Sequence, residues 1–181
     1  MSRRLGDLLV EAGRVGADEL AQALRAQRVS GGTLGTHLVR LGHLSEEELS
    51  EALAQLYGVP RASRDELLGA PERMTEALSP EFSRRHAAVP FRDDGHALHV
   101  AFGDPSDLLA LQEAAFLAGR RIVPYTAPEF LLHEALGHLL GQDEPPLHHR
   151  PGDEPPVPPE PRQAPEPPAE PTPLARLGSR L

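Results

Sequence analysis

Apolar residues recur at i, i+3, i+4 and i+7 over Leu5, Leu8, Leu9 and Ala12, which places them on one side of a helix over about 5–12. Gly13 follows, supplying the left-handed residue that ends helices. A second periodic set, Leu20, Ala23, Leu24 and Gln27, predicts a helix over about 17–29, with Asp18 and Glu19 in its first turn to complement the helix dipole. The same grammar then returns 29 residues on: residues 4–27 laid on residues 33–56 agree at nine of 24 positions. Those positions are Leu5/Leu34, Gly6/Gly35, Leu9/Leu38, Val10/Val39, Gly13/Gly42, Glu19/Glu48, Leu20/Leu49, Ala23/Ala52 and Leu24/Leu53. The second copy predicts helices over 34–41 and 46–57, with Thr33 as N-cap, Gly42 as C-cap and Ser45-Glu46-Glu47-Glu48 as a capping box. Gly16 stands where the second copy has Ser45, so the first long helix starts less firmly, by a few tenths to about 1 kcal/mol. Ser30-Gly31-Gly32 is the hinge between the copies. Two copies are too few for a solenoid, so the natural unit is a compact pair of helical hairpins, with any functional site where they meet.

After Tyr57-Gly58-Val59-Pro60 the pattern changes. Residues 61–80 read as a connector with one short helix near Arg64–Leu68. Ala87–Arg92 and Ala97–Phe102 are short apolar runs around Asp93-Asp94-Gly95, strong hairpin chemistry, and Pro90 marks the first as an edge strand or a bulged one. A helix over about 106–118, a strand over Arg121–Thr126 and a last helix over Pro128–Leu140 complete a small α/β layer. From Gln142, 13 of the remaining 40 residues are proline, interleaved with acids, which predicts a disordered tail with no core of its own. Only Leu174–Leu181 turns apolar and basic again. The expected fold class is α+β: a tandem-repeat helical subdomain over 3–60, a connector over 61–80, an α/β subdomain over 81–141 and the tail over 142–181.

Composition removes several functions. The chain has no cysteine, hence no disulfide, thiolate nucleophile or cysteine-ligated zinc. All 18 basic residues are arginine. Without lysine there is no GxxxxGK[ST] phosphate loop, Schiff base or lysine general base, so the chain is not a self-sufficient P-loop ATPase. A formal net charge of −9 argues against sequence-independent nucleic-acid binding. No run of 18 apolar residues and no charged-then-apolar leader is present, so the expectation is a cytoplasmic protein without membrane insertion. The nine histidines show no HExxH spacing, and His133 and His138 do not share a helix face well, so surface or core-rim roles are expected and no metal site. Asp104 and Asp107 flank a helix start, where cap and first-turn charge account for both. No nucleophile-and-base pair is supported, and the chain is expected not to be an enzyme.

The repeat RLGxxLVxxGxVxxxxLxxALxxQ, written by Arg4, Leu5, Gly6, Leu9, Val10, Gly13, Val15, Leu20, Ala23, Leu24 and Gln27, resembles the tandem motif at the N-terminus of type II secretion and type IV pilus assembly ATPases. The layer with Val100-Ala101-Phe102-Gly103-Asp104-Pro105 is similar to the second half of the same domain, called GspE N-terminal or MshEN, so the resemblance covers about residues 3–140. In the ligand-binding members such motifs bind cyclic di-GMP. The resemblance implies polar contacts from Arg4 and Gln27, an apolar bed for the rings from Leu5, Leu20, Leu24, Leu34, Leu49 and Leu53, and close backbone approach at Gly6 and Gly35. An arginine can stack on a base or pair with phosphate, and an amide can read a base edge. The second copy departs from the motif: Thr33 holds the arginine position, Leu56 the glutamine position with Gln55 beside it, and His37 an apolar one.

The reading that follows is a stand-alone regulatory domain with no cofactor, possible ligand cyclic di-GMP, and a protein partner of a secretion or pilus system. Its rival is a nucleotide-free interaction adaptor of the same apparatus. A helix-turn-helix DNA binder is disfavoured, because Glu46, Glu47, Glu48 and Glu51 would face phosphate.

Overall fold

A computed structural model describes residues 4–141; the tail from Gln142, with Leu174–Leu181, lies outside the described residues. Helices α1 (Leu5–Glu11), α2 (Ala17–Ser30), α3 (Leu34–Arg40) and α4 (Glu46–Tyr57) form the two repeats. Gly13 and Gly42 take φ of 66° and 74°, so the same left-handed residue follows the short helix in each copy. Ser45 and Glu48 form the reciprocal box, the Glu48 amide donating to Ser45 Oγ (3.2 Å) and the Ser45 amide to Glu48 Oε2 (2.9 Å). At Gly16 only the returning half exists, its amide donating to Glu19 Oε2 at 2.7 Å. Thr33 occupies the N-cap of α3 without a side-chain cap bond; its hydroxyl instead lies 2.8 Å from that of Thr36. The copies pack crosswise, α1 against α4 and α2 against α3.

Helix α5 (Arg64–Leu68) follows, then a 3₁₀ turn over Glu72–Glu76 and α6 (Pro80–Arg85). These last two lack a sequence expectation. The 3₁₀ turn has too few residues for a 3.6-residue period to register, and α6 is signalled only by the Ser79 cap and Pro80 at its first position. Strands β1 (Ala88–Asp93) and β2 (Ala97–Phe102) pair antiparallel, and β3 (Arg121–Thr126) joins β2 in parallel after helix α7 (Leu108–Ala118). The order is β1-β2-β3, so β1 is an edge strand, and the register slips between Pro90 and Arg92. Both of the devices that tolerate a strand proline are used. Helix α8 (Glu129–Leu139) closes the layer.

Alternation along the sheet divides the core. Val89, Phe91 and Ala101 face α8 and the repeat leucines Leu8, Leu9, Leu38 and Leu49 in one cluster. Ala88, Leu98, Val100 and Phe102 face the other way, onto Phe82 of α6 and Ala114 of α7. The repeat is sewn to the sheet where Ala62 donates to the Thr126 carbonyl and Thr126 to that of Pro60, both at 2.9 Å. Arg64 clamps the same seam, reaching Glu46 of α4 at 3.0 Å and Glu134 of α8 at 2.5 Å. Among the described residues, no helix is long and apolar enough to cross a membrane.

The Asp93–Gly95 turn carries a titratable lock. Asp94 Oδ2 lies 3.1 Å from Nε2 of buried His99, and Oδ1 accepts from the Ala97 and His96 amides at 2.7 and 2.9 Å. Because Arg92 donates to His99 Nδ1 at 2.9 Å, Nε2 carries the imidazole proton. The His99 contact first, then the two amides, hold the Asp94 carboxyl far below the usual carboxylate range. A carboxylate with a depressed folded pKa contributes stability above its unfolded value, about 4, and loses that contribution as pH falls from there towards the folded value. Asp94→Asn is therefore expected to lower stability at neutral pH and to flatten part of the acid limb. Urea midpoints measured for both proteins from neutral to strongly acidic pH check this; parallel curves would assign the acid limb to other carboxylates.

Candidate functional site

A cavity of about 250 Å³ opens where the two repeats meet the sheet. Helix α1 contributes Leu5 from its first turn, α2 contributes Gln27 near its end, and the start of α3 contributes Thr33, Leu34 and Gly35. Leu49, Leu53, Leu56 and Tyr57 of α4 form its floor, at the i, i+4, i+7, i+8 spacing of one helix face. Gly103 after β2, and Ala127, Pro128 and Glu129 between β3 and α8, close the other side.

Six of the ten site residues expected from the repeat therefore line one cavity: Leu5, Gln27, Leu34, Gly35, Leu49 and Leu53. Arg4, Gly6, Leu20 and Leu24 do not line it. Arg4 is exposed at the N-cap of α1, next to Leu5, and makes no side-chain cap bond. Leu24 points outward at 36% exposure. The space over Gly6 and Gly35 is taken by a leucine: a Cβ on Gly6 would stand 3.1 Å from Leu20, and one on Gly35 2.8 Å from Leu49. The amide of Gln27 donates to the Gly32 carbonyl at 2.9 Å, which ties α2 to the hinge and leaves Oε1 as an acceptor. His37, buried in α3, reaches the Gly31 carbonyl of the same hinge at 2.7 Å, which explains a histidine at an otherwise apolar position of the repeat.

Two further hollows adjoin the central cavity, and both share Thr33 and Glu129 with it. One, of about 460 Å³, runs past Arg84, Arg85, His86, Asp104 and Asp107; the other, of about 380 Å³, runs along the hinge past Thr36, His37 and Arg40. Glu129, where the three join, is held below the usual carboxylate range by its hydrogen bond with His133 first, against partial burial, and then by the His133 charge and a hydrogen bond from Thr33. It stays ionised at neutral pH, so this wall can accept from N–H donors and repels anions. Ala87, at φ 44°, is the one non-glycine residue at positive φ among the described residues, and it lines the hollow of about 460 Å³.

The repeat alone does not signal Tyr57, Gly103, Ala127, Pro128 or Glu129. Tyr57 comes in on the same face of α4 as Leu49 and Leu53, whereas Gly103, Ala127, Pro128 and Glu129 reach the cavity through sheet topology, for which the sequence carries no local pattern. Among the described residues, no group of three or more His, Asp or Glu could hold a metal.

A family model described as the MshEN domain matches residues 57–146. The chain is 32% identical over 153 residues to the type IV pilus assembly ATPase PilB of Myxococcus xanthus, an overlap of 84% of this chain and 27% of that protein. It is 33% identical over 149 residues to the type IV pilus assembly ATPase PilB of Thermus thermophilus, covering 80% of this chain and 17% of that protein. The chain thus spans a minor part of each curated relative. Among solved structures, that of MshE with cdg, a cyclic di-GMP complex, aligns at a TM-score of 0.56 and 33% identity, over 76% of this chain and 99% of that one.

Proposed function

The chain belongs to the MshEN family, and we propose that it is a regulatory domain that binds cyclic di-GMP between its two repeats and acts on a partner of a secretion or pilus-type apparatus. The observation that carries the reading is the convergence of Leu5, Gln27, Leu34, Gly35, Leu49 and Leu53 on one cavity. Leucines on three helices supply a flat apolar bed against which purine rings can lie, and the free Oε1 of Gln27 accepts from a base edge. The central cavity is smaller than the roughly 300–1,000 Å³ usual for ligand pockets, so a dinucleotide would also occupy an adjoining hollow. Anionic Glu129 favours the N–H edge of a guanine on its side, with the phosphates turned to the Arg4 side.

The 33% identity to MshE, whose structure was solved with cdg, supports the ligand class. Titration calorimetry with cyclic di-GMP on the full chain is the test. Saturable heat with cyclic di-GMP and none with GMP is the expected result. No heat and no thermal shift would leave the adaptor reading, which Leu56 in the glutamine position already favours for the second copy.

A further inference from the structure

The outer side of α7 is uncovered. Leu108, Leu109 and Phe116 are 69%, 77% and 86% exposed, while Ala110 and Ala114 on the inner side are buried. At 100° per residue, Leu108, Leu109, Gln112 and Phe116 share one face, so three of its four side chains are large and apolar. Isolated exposed leucines need no explanation, but a contiguous apolar helix face marks a contact.

We propose that this face is the docking site of the chain's own segment Leu174–Leu181, bound in cis. At helical spacing Leu174, Leu177 and Leu181 fall on one side, and Arg176 and Arg180 on the other. Nothing else after Gln142 combines large apolar residues at a repeating spacing with basic ones; the intervening sequence is rich in proline and acids, and its large apolar residues, Leu147 and Val157, stand singly. Two carboxylates border the face, Asp107 at the N-cap of α7 and Glu113, but Glu113 already lies 3.6 Å from Arg85, so the apolar match rather than charge carries the fit.

Size decides between this segment and a second copy of the chain. One stripe on an 11-residue helix, about 16 Å long, falls far short of the roughly 800 Å² per partner that a stable interface buries. A tethered segment at millimolar effective concentration does not need that area. The 32 residues from Gln142 to Pro173 measure up to roughly 100 Å at the polyproline-II rise, against about 40 Å across a domain of this size. Every face is within reach.

The absence of cysteine gives a clean probe: Ser179→Cys in the full chain carries a single nitroxide. Amide signals of residues 108–118 are expected to lose most of their intensity in the isotope-labelled, spin-labelled chain. They should recover it when Leu174→Asp and Leu177→Asp are added, and equally with Phe116→Ser, whose side chain is already exposed. Unattenuated α7 signals overturn the proposal. So does attenuation that arises only when a spin-labelled chain without isotope label is mixed with an isotope-labelled chain lacking the nitroxide, because the contact would then be between copies.

Discussion

Arg4→Ala is expected to weaken cyclic di-GMP binding roughly ten- to a hundredfold, the equivalent of about 1.5–3 kcal/mol for a lost charge-assisted contact, and to leave the fold unchanged. The second half of that expectation comes from the structure: Arg4 is exposed and its side chain makes no cap bond for α1, so alanine removes no internal partner from the helix. Thr33→Ala, at the same position of the other copy, should cost binding much less, since a hydroxyl already engaged with Thr36 supplies neither charge nor a bidentate fork. Leu24→Ala becomes an informative third variant. Buried, it would have cost about 2–5 kcal/mol of stability and confounded any loss of binding. At 36% exposure it should cost clearly less than that, and ligand-free melting reads the remaining loss, so binding weakened beyond it by Leu24→Ala would place that side chain against ligand. Gln27→Ala is less clean, because it also releases the hinge carbonyl of Gly32. Calorimetry and ligand-free melting on the Arg4, Thr33 and Leu24 variants separate these effects. Equal affinity of Arg4→Ala and parent would remove the first copy's arginine from the site.

Helices that the repeat spells with capped, periodic runs came through to within about a residue, because local propensity, caps and burial all point the same way there. The two β-strands around Asp93-Asp94-Gly95 were legible for the same reason, Gly95 taking φ 84° in the turn. Helix α7 begins at Leu108 rather than near 106, since Asp107, not Ser106, caps it through the Leu109 and Ala110 amides. What could not be read was how the layer faces the repeat. Leu5, Gln27 and Leu34 were legible as one motif, but their meeting with Pro128 and Glu129 depends on the pairing of residues 60–62 with Thr126, a contact between segments over 60 residues apart. Nor does a repeat predict unequal burial: Leu20 and Leu49 hold equivalent positions, yet only Leu49 is fully enclosed, at 1% exposure. The sheet covers the second copy and leaves the first more open.

That inequality sets the largest expected effect on stability. Leu49→Ala should cost about 2–5 kcal/mol, because a fully buried leucine loses both its transfer energy and the packing around the cavity left behind. Leu20→Ala, only partly buried, should cost clearly less. Gly35→Ala tests why glycine stands opposite Leu49. Its new Cβ would meet Leu49 Cδ1 at 2.8 Å and Cδ2 at 3.0 Å, closer than such contacts normally come, so the end of the Leu49 side chain must shift, and the cavity that it lines sets how much that costs. Overpacking of this kind costs about 1–3 kcal/mol, offset by the roughly 1 kcal/mol that alanine gains over glycine within a helix. Once Leu49 is alanine, the atoms that clash are gone and only the helical gain remains. Gly35→Ala is therefore expected to be neutral to destabilising in the parent but stabilising in the Leu49→Ala background, a coupling within the roughly 0.5–3 kcal/mol seen for residues in contact. Denaturant unfolding of the parent, both single variants and the double variant gives the four free energies. Additive values would mean that Gly35 is not there to admit Leu49, and would reopen close approach of a ligand as the reason for the glycine.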